Sequence, residues 1–273
     1  LNNITTVKKI KAELFIKQIQ TAGSLPCEFL CDDGNLYIVK HSENGRKNKD
    51  LINEVIGSCL AKSIGLNTPD IAIVEINKNL IPGGFKIERG VPMGICFGSK
   101  KLNGKHKNLN DFVDLPINDK IGDNTIAKTF LQIILFDIWV RNNDRTYGNP
   151  NVIVEEISEK LRLIAIDHTM ILAGLGFDKL QLEKSESPTI EDTLISHELF
   201  EIIRNNYGLY FENCINEIIL TIKNLDIEIL TKILSQIPVE WNLQDNQINS
   251  IIDFIMYRKD ITEQDFNNLL NNN

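Results

Sequence analysis

The feature that most constrains this chain is a strongly apolar run, Ile126 to Val140, with a single carboxylate, Asp137, inside it. Phe130, Ile133, Ile134 and Asp137 to Ile138 fall at helical spacings, which predicts a buried helix. The helix opens into a polar loop, Arg141-Asn-Asn-Asp-Arg-Thr-Tyr-Gly-Asn149. That loop carries a carboxylate, Asp144, and five residues later an amide, Asn149. A second short apolar segment, Leu163 to Ile166, ends on Asp167-His168. Asn, Asp and Gly are ordinary turn residues, so an Asx-rich turn would account for the loop alone. It would not account for a second acid placed at the end of another apolar segment.

With 273 residues the chain can bury a large core, as one bilobal unit or two domains. Its apolar fraction of 42% and charged fraction of 24% are those of a soluble globular protein. The net charge of -8 argues against direct nucleic-acid binding, which needs a surplus of Lys and Arg. It leaves room for a nucleotide, whose charge is met locally by a metal and one or two basic residues. Five scattered cysteines, an odd number, predict free thiols and a reducing, cytoplasmic setting. Cys27 and Cys31 form a close pair, but no second pair completes a zinc site. Lys8, Lys9 and Lys11 precede an apolar stretch, Leu14 to Ile16, too short for a signal-peptide core. No apolar run reaches the roughly 18 residues of a membrane span.

Taken in order, residues 4 to 20 fit either a strand or a short helix, followed by the turn cluster Thr21 to Pro26. Two short β-rich runs, Cys27 to Cys31 and Leu36 to Lys40, flank Asp33-Gly34 and predict a hairpin. Leu51 to Ile64 has one apolar face and stops at Gly65, a helix with its C-terminal signal. Ile71 to Ile76 alternates as a strand, and Phe85 to Glu88 and Gly94 to Phe97 read as further strands. Lys100 to Asn110 reads as a basic, Asn-rich connector. Beyond it the pattern is helical: Ser196 to Asn205, Phe211 to Leu225, Ile227 to Ser235 and Gln247 to Tyr257. Asp245 and Thr262 stand where N-caps are expected, Thr262 before a separate tail helix. The expectation is an α+β protein, with residues 1–100 as a β-rich N-lobe and 101–273 as a mainly helical C-lobe.

The chemistry of the candidate site follows from spacing. A protein-kinase catalytic loop has an Asp that takes the acceptor hydroxyl proton and, five residues on, an Asn that holds magnesium. Asp144 and Asn149 match that spacing, and Asp167 stands where such an enzyme keeps its main metal-binding Asp. Lys40 ends the hairpin, where a small-lobe Lys would reach the α- and β-phosphates of ATP, and Glu54 is the helix Glu that would steady it. Gly23 and Ser24 lie in the turn before the hairpin, where backbone N–H groups would meet phosphate. Each has a plain alternative as a turn or surface residue. Asn142 is expected to shape the loop beside the nucleotide site, Arg145 to pair with a carboxylate, and His168 to be a buried structural imidazole. Gly94 to Ser99 is the expected hinge against adenine.

Asn142-x-Asp144-Arg145-x-x-x-Asn149 with Ile166-Asp167-His168 resembles the HipA-type serine/threonine kinases, in their short, single-module branch. The resemblance extends to Gly23-Ser24-x-Pro26, Tyr37-Ile-Val-Lys40, Asn53-Glu54, Leu60-Ala-x-x-x-Gly65 and Ile237-Pro238-x-x-Trp241, and so covers nearly the whole chain. It implies the two-lobed protein-kinase-like fold related to phosphatidylinositol kinases. It also implies ATP and Mg2+ as cofactors, Asp144 as base, Asn149 and Asp167 on the metal, and Lys40 on ATP. Relatives autophosphorylate a serine in the Gly-rich loop, and Ser24 is the matching position. The partners implied are a protein substrate and, by analogy with toxin–antitoxin systems, an antitoxin. The chain is expected to lack the extra N-terminal subdomain of the long toxin kinases, so their antitoxin contacts are not assumed. The segment after Asp167 departs from Asp-Phe-Gly, so no activation loop of that type is expected. Two other readings stay open: a lipid or small-molecule kinase, and a nucleotide-binding pseudokinase module. No basic amphipathic helix supports a membrane partner.

Overall fold

The computed structural model describes residues 6–21, 25–42, 48–81, 92–111, 125–158 and 160–271. The first part is a closed five-stranded barrel in the order β1-β2-β3-β5-β4. The segment left open between strand and helix is a strand, β1 (Lys8–Gln18). It sends Ile10, Ala12 and Phe15 into the barrel, while its lysines stay exposed. Two irregularities in its register against β2, between Ala12 and Leu14 and between Phe15 and Lys17, bend it around the barrel. β2 (Cys27–Cys31) and β3 (Leu36–Lys40) form the expected antiparallel hairpin. Its turn works because Gly34 takes φ +76 and the Asp33 carboxylate accepts from the Asn35 backbone and the Tyr37 hydroxyl.

α1 (Asn48–Ser63) follows, and Gly65 at φ +77 ends it as expected. β4 (Ile71–Ile76) runs parallel to β1 and antiparallel to β5 (Gly94–Lys100). The strand expected at Phe85 to Glu88 lies outside the described residues. The basic connector differs from expectation. Within it β6 (Lys105–Asn108) pairs with β7 (Val152–Ile157), which pairs in turn with β8 (Lys160–Ala165). All four β6 residues are exposed, so no buried face betrayed the strand, and lysines are what an edge strand tolerates.

α2 (Thr125–Val140) is the predicted buried helix, with Phe130, Leu131, Ile133 to Phe136 and Ile138 to Val140 wholly inaccessible. It packs against β8, α3 (Glu198–Lys223) and α5 (Asp245–Asn271), with α4 (Ile227–Leu234) joining α3 to the rest. The two helices expected at 196–205 and 211–225 lie on either side of a break within α3 at Gly208, whose φ +42 and ψ -119 are not helical. Thr262 does not cap a tail helix. It lies inside α5, its hydroxyl donating to the Arg258 carbonyl one turn back, because burial of Phe254, Ile255, Phe266 and Leu269 carries the helix through.

Two apolar clusters result. The smaller fills the barrel, and the larger runs from α1 through α2 to the C-terminal helices. All five cysteines are buried and none forms a disulfide. Among the described residues no helix is long and apolar enough to cross a membrane.

Candidate active site

A cleft of about 950 Å³ lies between the barrel and the helical part. Its walls include Lys40, Glu54, Asp144, Asn149 and Asp167, five residues from four separate stretches of sequence. Gly23 and Ser24 lie outside the described residues.

Lys40 leaves the end of β3 and meets Glu54 of α1 at 2.5 Å and Asp167 at 2.9 Å. Burial by itself would lower the Lys40 pKa, but the two carboxylates outweigh it and raise it to about 12. Burial pushes the Glu54 carboxyl up, Lys40 pulls it back and Asp167 adds to the rise. The other Glu54 oxygen accepts the His168 backbone N–H at 3.0 Å. Beside it, the Asn53 amide donates to the carbonyls of Thr169 and Ile171. Consecutive residues of α1 thus hold the segment that carries Asp167.

Asp167 has φ +55, a conformation side chains rarely adopt. The Thr169 hydroxyl donates to its Oδ1 at 2.6 Å while Lys40 holds Oδ2. Burial alone would raise this carboxyl, but Lys40 and Thr169 hold it well below the usual carboxylate range. His168 is buried as expected, its ring edge-on to Phe136, and burial with Arg145 nearby lowers its pKa.

The catalytic-loop candidates are organised from beneath. Asp137, the lone acid of α2, is buried against Arg145, which is also fully buried. The Asn142 amide donates to the same Asp137 oxygen at 3.0 Å, and Asn142 Oδ1 accepts the Asp144 backbone N–H at 3.3 Å. Asn142 therefore shapes the loop, with 2% of its surface exposed, and does not line the cleft where nucleotide contact was expected. Its polar atoms are committed to Asp137 and to the loop backbone. Arg145 also donates to the Ile166 carbonyl at 2.8 Å, so one guanidinium ties the Asp144 loop to the Asp167 segment.

Asn149 donates its amide N–H to the Asp144 carbonyl at 3.2 Å, which leaves the amide oxygen, the atom a hard cation takes. Thr146 and Asn149 exchange backbone hydrogen bonds at 3.2 Å, closing the turn that follows Asp144. Asn151 donates to Asp144 Oδ2 at 3.1 Å and was missed by sequence reasoning. The available signal was an Asn able to accept φ +45 right after the loop. Thr169 was also missed, though a hydroxyl two residues after an acid is a common local partner.

The donor set fits magnesium. No group of three or more His, Cys, Asp or Glu gathers among the described residues, as a protein-only metal cage would require. Magnesium instead takes one or two carboxylates together with substrate phosphate. Ile38, Phe97, Leu102, Ile153 and Ile166 add an apolar lining to the cleft. The expected hinge, Gly94 to Ser99, lies within β5, whose backbone pairs with β3 and β4. Phe97 and Ser99 reach the cleft from it, and Lys100 to Leu102 continue the lining.

A β-rich first part, a helical second part and this cleft belong to the kinases, which as a class use a nucleoside triphosphate and a divalent metal. A family model described as HipA-like kinase matches residues 13–268, and the chain belongs to that family. A search of curated proteins found no match.

Proposed function

We propose that the protein is an ATP- and magnesium-dependent protein serine/threonine kinase with Asp144 as its base. The observation that carries this reading is the meeting of Lys40–Glu54 with Asp144, Asn149 and Asp167 on one cleft. Asp167 and Asn149 would hold the metal, which when bound neutralises charge on the transferred phosphoryl group. Lys40, aimed by Glu54, binds the phosphates. The apolar lining takes adenine, with Ser99 to Leu102 as the hinge. Asp144, held by Asn151, orients the acceptor hydroxyl and takes its proton late. Positioning and electrostatics do most of the work, since phosphoryl transfer needs little covalent help.

The division into an N-lobe of residues 1–100 and a C-lobe of 101–273, and the relation to phosphatidylinositol kinases, belong to the same reading. So do autophosphorylation at Ser24, a cytoplasmic setting, and a toxin role with a protein substrate and an antitoxin. Asp144→Asn tests the core of it. Transfer of labelled phosphate from ATP should fall about a hundredfold or more while ATP binding stays near wild type. Equal phosphorylation by both proteins would remove Asp144 from the mechanism. Labelling of lipid vesicles in place of protein would move the acceptor to the lipid class. Mass spectrometry after incubation with ATP and magnesium reads Ser24.

A further inference from the structure

His197 and Asn110 touch the catalytic loop but have no part in the mechanism above. His197 caps α3, its Nδ1 accepting the Leu199 backbone N–H at 3.1 Å. A ring nitrogen that accepts carries no proton, so the neutral imidazole holds its proton on Nε2. Nε2 lies 3.2 Å from Asn110 Oδ1 and donates to it. With its oxygen engaged there, the Asn110 amide presents its NH2 to the Tyr147 carbonyl, 3.0 Å away. The rings agree with this order. Tyr147 tilts against the imidazole at 5.5 Å between centroids, and Phe130 of α2 meets it edge-on at 5.9 Å. Burial lowers the proton affinity of His197, against Glu198, which favours the neutral form this chain of bonds needs. Tyr147 sits in the turn closed by Thr146 and Asn149.

We propose that His197 and Asn110 are positioning residues for Asn149. The helix cap fixes the tautomer, the tautomer fixes the Asn110 amide, and the amide fixes the turn that presents Asn149 to the metal. This rests on the reading of Asn149 as a metal ligand.

Mn2+ binding, followed by electron paramagnetic resonance with a non-hydrolysable ATP analogue, reads the site without turnover. His197→Asn keeps an oxygen to cap α3 but is too short to reach Asn110, and Asn110→Ala removes the bridge. Each change is expected to weaken Mn2+ about fivefold, as one hydrogen bond would, and to leave metal-free analogue binding unchanged. The double variant is expected to be no worse than either single, because the same chain is cut. Unchanged Mn2+ affinity in both single variants, or losses that add in the double, overturns the proposal. Asn149→Ala separates the two claims. Mn2+ binding untouched by that change removes the metal reading and the proposal with it. Mn2+ binding lost there but intact in both relay variants removes the proposal alone.

Discussion

Gly57 and His168 stand so close that a methyl group on Gly57 would lie 2.4 Å from His168 Cβ and 2.8 Å from its Cγ. Gly57 is inside α1, one turn from Glu54, and His168 follows Asp167. The absent side chain lets α1 approach the metal-candidate segment until Glu54 reaches the His168 backbone N–H.

Gly57→Ala therefore sets two effects against each other. Helix propensity favours Ala by about 1 kcal/mol. The clash is with atoms next to the backbone and costs about 1–3 kcal/mol. The expected result is a lower melting temperature and weaker metal-dependent nucleotide binding, measured by calorimetry. A more stable variant with unchanged binding would show that the approach is not tight.

Asp137→Ala leaves the Arg145 guanidinium buried without its acid, at a cost of about 3–5 kcal/mol. Asp137→Leu combined with Arg145→Met is expected to recover most of that stability, since no charge stays buried. Activity should not recover, because Arg145 also carries the bond to the Ile166 carbonyl. Denaturant unfolding and phosphate transfer, measured on the same samples, separate the two outcomes.

Lys40→Met removes the cation shared by Glu54 and Asp167. Phosphoryl transfer is expected to fall by about a hundredfold or more, as when one preorganised charge donor is lost. The loss should persist at saturating ATP. A defect cured entirely by raising ATP would assign Lys40 to ground-state binding alone.

His41 gives a pH dependence. It is buried, neither ring nitrogen has a hydrogen-bond partner among the described residues, and burial lowers its pKa to about 4. The unfolded chain takes its proton near pH 6.5, so its contribution is fully present above that pH and is lost as pH falls toward 4. The loss from this group is about 3 kcal/mol, at about 1.4 kcal/mol per pH unit. Urea unfolding between pH 7 and 4 should show that slope, and His41→Phe should flatten it. An identical slope in the variant would place the effect elsewhere, with buried His168 the next group to change.

Much of the site was legible in the chain because its parts sit at the ends of strongly patterned elements. The Asp-Gly hairpin set Lys40 at a strand end, Gly65 closed the helix carrying Glu54, and the apolar run to Val140 delivered Asp144 and Asn149 into one loop. What misled was equally local. Thr262 resembles a cap but lies in a buried helix interior, and Lys105 to Asn108 have no apolar face to announce a strand. The loop-shaping role of Asn142 was expected, but its bond to the buried Asp137 was visible only in the fold.

Sequence by itself singled out the candidate residues, because periodicity, turn residues and the Asp-to-Asn spacing are properties of neighbours along the chain. Only the tertiary structure decided how they are held. The bond from Arg145 to Ile166, the Asn151 hand on Asp144 and the Asn53-Glu54 grip on residues 168 to 171 join segments far apart in sequence. Such contacts depend on burial, which fixes a polar group only when the whole core has closed around it.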